Sequence, residues 1–311
     1  PSFLLYFLSL SLKSQLHILV QPILFPFPTF VDIFCKERKT GIADCMWFLQ
    51  VFYTFVLSRR YRIHIDGLDL IKDPAGKLIL PNHVSHIDPQ IIATWCNKHT
   101  WVVPVVSERF LKIPLIGYIM RKWEAVPVAD FRRESRDRDA MKNIFSGVTD
   151  ALAKGRSCII YPSGELQDGG FERIKNKQSA HVCVSNLPDG AKVIGCRVKG
   201  LWGTIWSKAW NGKFPKFLPT YLKAIGYWFA NLIFFSPKRN VYLEFVDITE
   251  NAKLQAQNGR KIFNNFLEDF YNEKGEEEPV YVKHFFYFPR SKRKLPSNLP
   301  RFQKRENLTT N

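Results

Sequence analysis

From Tyr61 onward the chain alternates short β-type runs with helical stretches, and this alternation restricts its fold more than any other feature. The runs YRIHI, KLIL, WVVPVV, AVPV, SCIIY, KVIGCRV and VYLEFV read as strands because they are short, apolar and bounded by turn residues. Between them Pro89–Asn97, Glu108–Lys122, Asp137–Lys154 and Lys175–Ser185 carry helical patterns, and Asn251–Tyr271 reads as a surface helix. Strands interleaved with helices predict an α/β fold: a largely parallel sheet with helices on its faces. In such sheets chemistry collects where strands end in loops, and LIL-PNH and CIIY-PSGEL are two exits of that kind.

The first 57 residues have a different texture. Residues 1–34 are mostly apolar or aromatic but are broken by Lys13, Asp32, Pro22, Pro26 and Pro28. A straight spanning helix needs roughly 20 apolar residues without such breaks. A bent segment lying in a membrane interface fits better, followed by a second apolar helix, Met46–Leu57, ended by Arg59 and Arg60. Buried core helices would show the same pattern. A third apolar run, Tyr221–Phe235, is too short to span. The expected division is a membrane-associated helical segment (1–57), a catalytic-type α/β domain (58–275) and a basic C-terminal tail or linker (276–311).

Lys and Arg number 45 against 28 Asp and Glu, a net charge of +17, so an anionic partner is expected. Zinc spacing, RNA-binding aromatic motifs and basic-helix patterns are missing, which argues against nucleic acid and for an anionic membrane surface. The six cysteines form no C-x-x-C pair and do not cluster with His, so buried thiols are expected rather than metal ligands.

The stretch LILPNHVSHIDPQII (78–92) holds the densest chemistry. His83 and Asp88 are five apart on a loop that opens into a helix, a spacing that lets a carboxylate reach one imidazole nitrogen. The other nitrogen then keeps a lone pair, which makes a general base. Spacing alone selects nothing, because His64 and Asp69 share it; His64, however, lies inside a strand run with a Gly turn before Asp69, and reads as structural. His86 has no acid five residues on and reads as a packing residue at the helix start. Ser85 stands outside any G-x-S-x-G elbow.

NHVSHIDP resembles the N-H-x4-D block of glycerophospholipid acyltransferases, specifically the 1-acyl-glycerol-3-phosphate acyltransferase family. SERFLKIPLIGYIMRKWEAVPVADFRR resembles the second block of that family and GRSCIIYPSGEL its third, a strand followed by F-P-E-G-T-R. VIGCRVKGLWGTIWSKAW resembles the fourth, and its GLWGTIWSKAW wording is closest to a subgroup, alone or fused to an acyl-carrier-protein synthetase, that re-acylates lysophospholipids. The resemblance covers about Tyr61 to Ile248 with the blocks in order. It implies a glycerol-3-phosphate acyltransferase-like sheet flanked by helices, with His83 as base, Asp88 orienting it, and Ser85 and His86 in support. It further implies direct attack of a lysophospholipid hydroxyl on acyl-CoA or an acyl-carrier-protein thioester, no metal or redox cofactor, and a place on the cytoplasmic face of a membrane.

This chain departs from the family in the third block, where Ser163 stands for Glu and Leu166 for Arg. Glu165 is a candidate substitute for the missing acid, and Gly164 a point of close backbone approach to substrate or a plain tight turn. In the second block the usual Arg position falls near Asp130, so Arg132 and Arg133 are the candidate phosphate contacts, unless that turn is only a solvated charged surface. Trp202, Trp206 and Trp210, four apart, read as helical stacking in the core rather than as an acyl-chain wall. The rivals are a thioesterase or lipid hydrolase using Ser85 or Ser163, and an acyltransferase-like protein altered in catalysis.

Overall fold

Leu78, Ile79 and Leu80 form an unbroken apolar run, as a strand covered on both faces requires. In the computed structural model of the protein this run is β2 (Lys77–Pro81), buried at every residue. The structure describes residues 42–113, 117–118, 120–121, 123–128, 138–289 and 293–303. Strand β2 lies at the centre of a seven-stranded sheet. Along the sheet the order is β1 (Tyr61–Asp66), β7 (Arg239–Asp247), β6 (Lys192–Lys199), β2, β5 (Ser157–Ile159), β3 (Val102–Ser107) and β4 (Val126–Val128). Every neighbouring pair is parallel except β6 and β7. Each strand expected from the sequence forms.

The pleat sends alternate residues to opposite layers. Ile79, Ile159, Ile194 and Cys196 join one core layer with Ile91 and Ile92 of α3 (Asp88–Cys96), Leu57 of α1 (Ile42–Arg60), Trp202 and Trp206. Leu78, Leu80, Cys158 and Val193 join the other, under α5 (Arg138–Ala153), α6 (Ser179–Ser185), α8 (Thr249–Gln257) and α9 (Arg260–Asn272). Two short helices, α2 (Leu68–Lys72) and α4 (Glu108–Leu111), and the apolar α7 (Phe217–Ala230) lie among the described residues as well. Cys96, Cys158, Cys183 and Cys196 are buried thiols in these layers.

Several elements differ from their sequence patterns for local reasons. The expected helix 108–122 stops first at Leu111, ahead of Pro114. Helix α6 starts only at Ser179, because Lys175 sits at φ 56, outside helical space. The single surface helix expected over Asn251–Tyr271 is two helices parted at Gly259, φ 105, and the second is not a surface element. Its Phe263, Leu267 and Tyr271 repeat at helical spacing and are buried against the sheet. Gly195 on β6 makes room for this helix: a Cβ there would lie 2.6 Å from the Phe270 ring.

After β6 the fourth block forms turns and one short 3-10 segment, Lys208–Trp210, instead of the helix its Trp spacing suggests. Trp202 and Trp206 are in the core all the same, and Trp210 packs against it. Residues 277–281 run along the body. Glu277 N donates to Gly170 O (2.6 Å), Val280 N to Trp202 O (3.0 Å) and Tyr281 Oη to Ala209 O (2.9 Å). Among the described residues no helix is long and apolar enough to cross a membrane.

Candidate active site

Strand β2 ends at Pro81, and Asn82 continues its registry by side chain. Asn82 Nδ2 donates to Val198 O (3.2 Å) and Val198 N donates to Asn82 Oδ1 (2.7 Å), so the first loop residue is locked to β6. His83 follows. Its imidazole Nδ1–H faces both Asp88 carboxylate oxygens, at 3.1 and 3.2 Å. Asp88 opens α3, where the helix dipole favours an anion. It is fully buried, and its Oδ2 also accepts Val84 N–H (2.8 Å) and Ser85 N–H (3.0 Å). An acceptor-only carboxylate makes Nδ1 the protonated nitrogen and leaves the lone pair on Nε2. Among the described residues nothing hydrogen-bonds to Nε2, and the ring keeps 16% exposure. The geometry is that of an oriented base open on one side.

The loop after β5 covers this base. The Tyr161 ring lies 4.2 Å from the His83 ring, tilted by 33°. Burial, then the Asp88 carboxylate, pushes the Tyr161 hydroxyl well above its ordinary range. Gln167 N donates to His83 O (2.7 Å). Gly164 N donates to Tyr161 O (3.0 Å), closing a tight turn in which Gly164 takes φ +61. A Cβ on Gly164 would meet no protein atom within 4 Å, so backbone conformation rather than crowding within the protein calls for glycine there.

The carboxylate that touches the His83 segment is that of Glu172, which the sequence reading did not single out. His83 N donates to Glu172 Oε2 at 3.0 Å. Glu172 is buried, and burial pushes its carboxyl up to about 7, against the His83 N–H, which favours the anion. Its other oxygen, Oε1, has no hydrogen-bond partner among the described residues. Helix α9 holds the backbone here: Glu172 N donates to Asn272 Oδ1, and Asn272 Nδ2 donates back to Glu172 O, both at 2.9 Å. The only signal in the sequence was an acid between Phe171 and Ile174 in a loop otherwise bound for the core.

Glu165, the candidate substitute for the missing acid, is exposed and pairs with Lys177 (2.8 Å) and Lys175 (3.7 Å). Ser163 is buried beside Glu172, with Oγ donating to Glu165 O at 2.9 Å. Ser85 Oγ is buried with no partner among the described residues. His86 donates through Nε2 to Pro215 O (3.1 Å) and packs edge-on against Phe217; burial holds its pKa down. His64 is exposed on β1 and stacks on Tyr242 at 4.8 Å. Arg132 and Arg133 lie outside the described residues. Arg60, at the end of α1, and Arg239, at the start of β7, turn inward onto backbone carbonyls. Arg239 is 2% exposed.

Residues 62–197, which contain this site, match the family model described as Acyltransferase. The fold is similar to that of the crystal structure of the 1-acyl-sn-glycerophosphate (LPA) acyltransferase PlsC from Thermotoga maritima. That similarity has a TM-score of 0.52 at 16% identity and covers 83% of this chain and 90% of that one. A search of curated proteins finds no match. The chain thus carries an Acyltransferase region within an α/β fold similar to that of PlsC.

Proposed function

We propose that the protein transfers a fatty acyl group from an acyl thioester, acyl-CoA or acyl-carrier protein, to the free hydroxyl of a lysophospholipid of the 1-acyl-glycerol-3-phosphate kind. The observation that carries this reading is the His83–Asp88 pair at the exit of β2, with Nε2 unengaged, inside the region that matches the family model. Nε2 takes the proton of the acceptor hydroxyl as its oxygen adds to the thioester carbonyl carbon. The C–S bond then breaks, the ester forms, and the imidazolium returns the proton to the departing thiolate. Asp88 fixes the tautomer and balances the imidazolium charge. Each step is complete without an acyl-enzyme, a metal or a redox cofactor.

The hydrolase reading is the weaker one. Ser85 Oγ is sealed in the core and Ser163 Oγ donates to a backbone carbonyl, so neither hydroxyl is presented as a nucleophile. Arg132 and Arg133 are proposed as contacts to the acceptor phosphate, because a guanidinium binds phosphate through paired hydrogen bonds. A membrane surface is the proposed location, since acceptor and product are both lipids.

The deciding experiment incubates the purified chain with lysophosphatidate and other lysophospholipids, each with acyl-CoA or acyl-carrier-protein donors, and follows diacyl product by mass spectrometry. Transfer to at least one acceptor, lost in His83→Ala, is the expected result. Release of free fatty acid without diacyl product from any acceptor would replace this reading with the hydrolase. No turnover of any kind would leave an acyltransferase fold without catalysis.

A further inference from the structure

A second feature lies on the α1 side of the sheet and takes no part in the chemistry above. A cavity of about 150 Å³ sits between α1, α7 and the turns that follow β6. Its wall is largely apolar, with Leu57, Ile205, Trp206 and Ile225 among the lining residues. Thr204 Oγ1, Trp228 Nε1, Arg239 Nε and His284 Nε2 are buried and without hydrogen-bond partners among the described residues. All four of these residues line this one cavity. A buried polar group left unpaired is costly, so their gathering is not what packing alone would select.

The charge at the same place points the same way. Arg60 and Arg239 both line the cavity. Their terminal nitrogens donate to the carbonyls of Pro237, Lys283, Gly200 and Val280. Among the described residues no carboxylate forms an ion pair with either. The acid that acts on Arg239 is Glu277; it accepts Gly200 N–H at 2.6 Å, and burial pushes its own carboxyl up to about 7. His284 is held down to about 4, by burial first and then by Arg60, Lys223, Arg239 and Arg293, so it is neutral at pH 7. The cavity is therefore electropositive, apolar-walled and supplied with unpaired donors.

We propose that this cavity binds the anionic head of a single-chain amphiphile, a fatty carboxylate or an alkyl phosphate, with the guanidinium pair facing the head and the apolar wall taking the first carbons of the chain. The volume suits a head and a few carbons; a cavity of about 150 Å³ in another protein holds benzene. Ile87 and Gln90 carry the lining to α3, the helix that opens with Asp88, so an occupant would rest against the support of the candidate base.

The test is binding to the full chain, by calorimetry below micelle-forming concentrations, of decanoate, decyl phosphate, decyltrimethylammonium and decyl maltoside. It does not require turnover, so it stands apart from the acyl-transfer reading. At least one of the two anions should bind about tenfold more tightly than the cationic and neutral chains, and the better of the two identifies the head group. Arg239→Gln should abolish that preference, but Arg239 also ties Gly200 and Val280 together and its loss could unfold the chain. The deciding variant is therefore Trp228→Phe with His284→Phe, which keeps an aromatic ring at each position and removes the indole N–H and the polar imidazole; it should weaken the anion by about tenfold. Equal binding of all four chains, no binding of either anion, or an unchanged anion affinity in the double variant would overturn the proposal.

Discussion

His83 is tethered from every side but one. Asp88 holds Nδ1, Glu172 and Gln167 hold its backbone, and Tyr161 covers its ring. Replacing it with Ala should lower acyl transfer by about 10²–10⁴, the ordinary contribution of a positioned base. Asp88→Asn should fall in the same direction, because an amide can donate to Nδ1 and so move the proton to Nε2. If single-turnover rates with lysophosphatidate fell less than about tenfold in His83→Ala, the base would lie elsewhere. Glu172 gives a pH prediction with a definite sign. Its carboxyl rises on folding from 4.5 to about 7, so the native state binds the extra proton and stability falls as pH climbs between those values. Glu172→Gln removes that loss, so the variant should gain stability relative to the natural chain from pH 4.5 to pH 7 in urea titrations. A constant difference would mean that the carboxyl is ionised throughout. The two acids also show what a sequence carries: Asp88 stands at a fixed spacing from a histidine on a strand exit, whereas Glu172 reaches the same histidine through a loop that α9 pins from 100 residues away.

The strands were legible for two reasons: central ones such as β2 are short apolar runs buried on both faces, whereas β1 and β7 alternate buried and exposed residues as half-buried strands do. Helix α9 was harder. Its mean character is polar, and only the spacing of Phe263, Leu267 and Tyr271 marks a buried stripe, which merging it with α8 into one surface helix obscured. It is in fact the element that backs β2, since Tyr271 Oη donates to Leu80 O at 2.8 Å, one residue from the end of the strand that presents His83. Phe263→Ala should cost about 3–5 kcal/mol by the cavity it leaves, measured as a lowered urea midpoint with an unchanged slope. A cost below about 1 kcal/mol would return α9 to the surface. The 277–281 segment was illegible for a different reason: backbone hydrogen bonds hold it to Gly170 and Trp202, and backbone bonding leaves no side-chain periodicity to read.

The net charge of +17 and a run of exposed aromatics belong to the same argument. Phe55 on α1 meets Phe234 at 6.4 Å, and Phe235 meets Phe286 at 5.3 Å, so α1, the turn after α7 and the 285–288 segment share one apolar face. Leu232, Phe234, Phe235 and Phe288 are each more than half exposed on it. The turn is strained to present them: Leu232 and Ile233 adopt φ 50 and 67, costly for any residue with a Cβ and most of all for β-branched Ile. Arg59 lies over Phe55 at 4.8 Å, a cation at the edge of the apolar patch. A patch of this kind beside basic groups is the surface proposed to meet an anionic bilayer, with apolar burial and charge both contributing. Phe234→Ser, Phe235→Ser and Phe286→Ser together should weaken binding to phosphatidylserine vesicles by about two orders of magnitude, at about 1 kcal/mol for each half-exposed ring. Folding stability should change little, because these rings cover no core. Raising salt should weaken vesicle binding only in part, since screening acts on the charges and not on the rings. Sedimentation with vesicles separates the outcomes. If high salt released the natural chain completely while the triple variant bound as well as it did, charge alone would hold the protein to lipid, and the aromatic face would have to be assigned another partner.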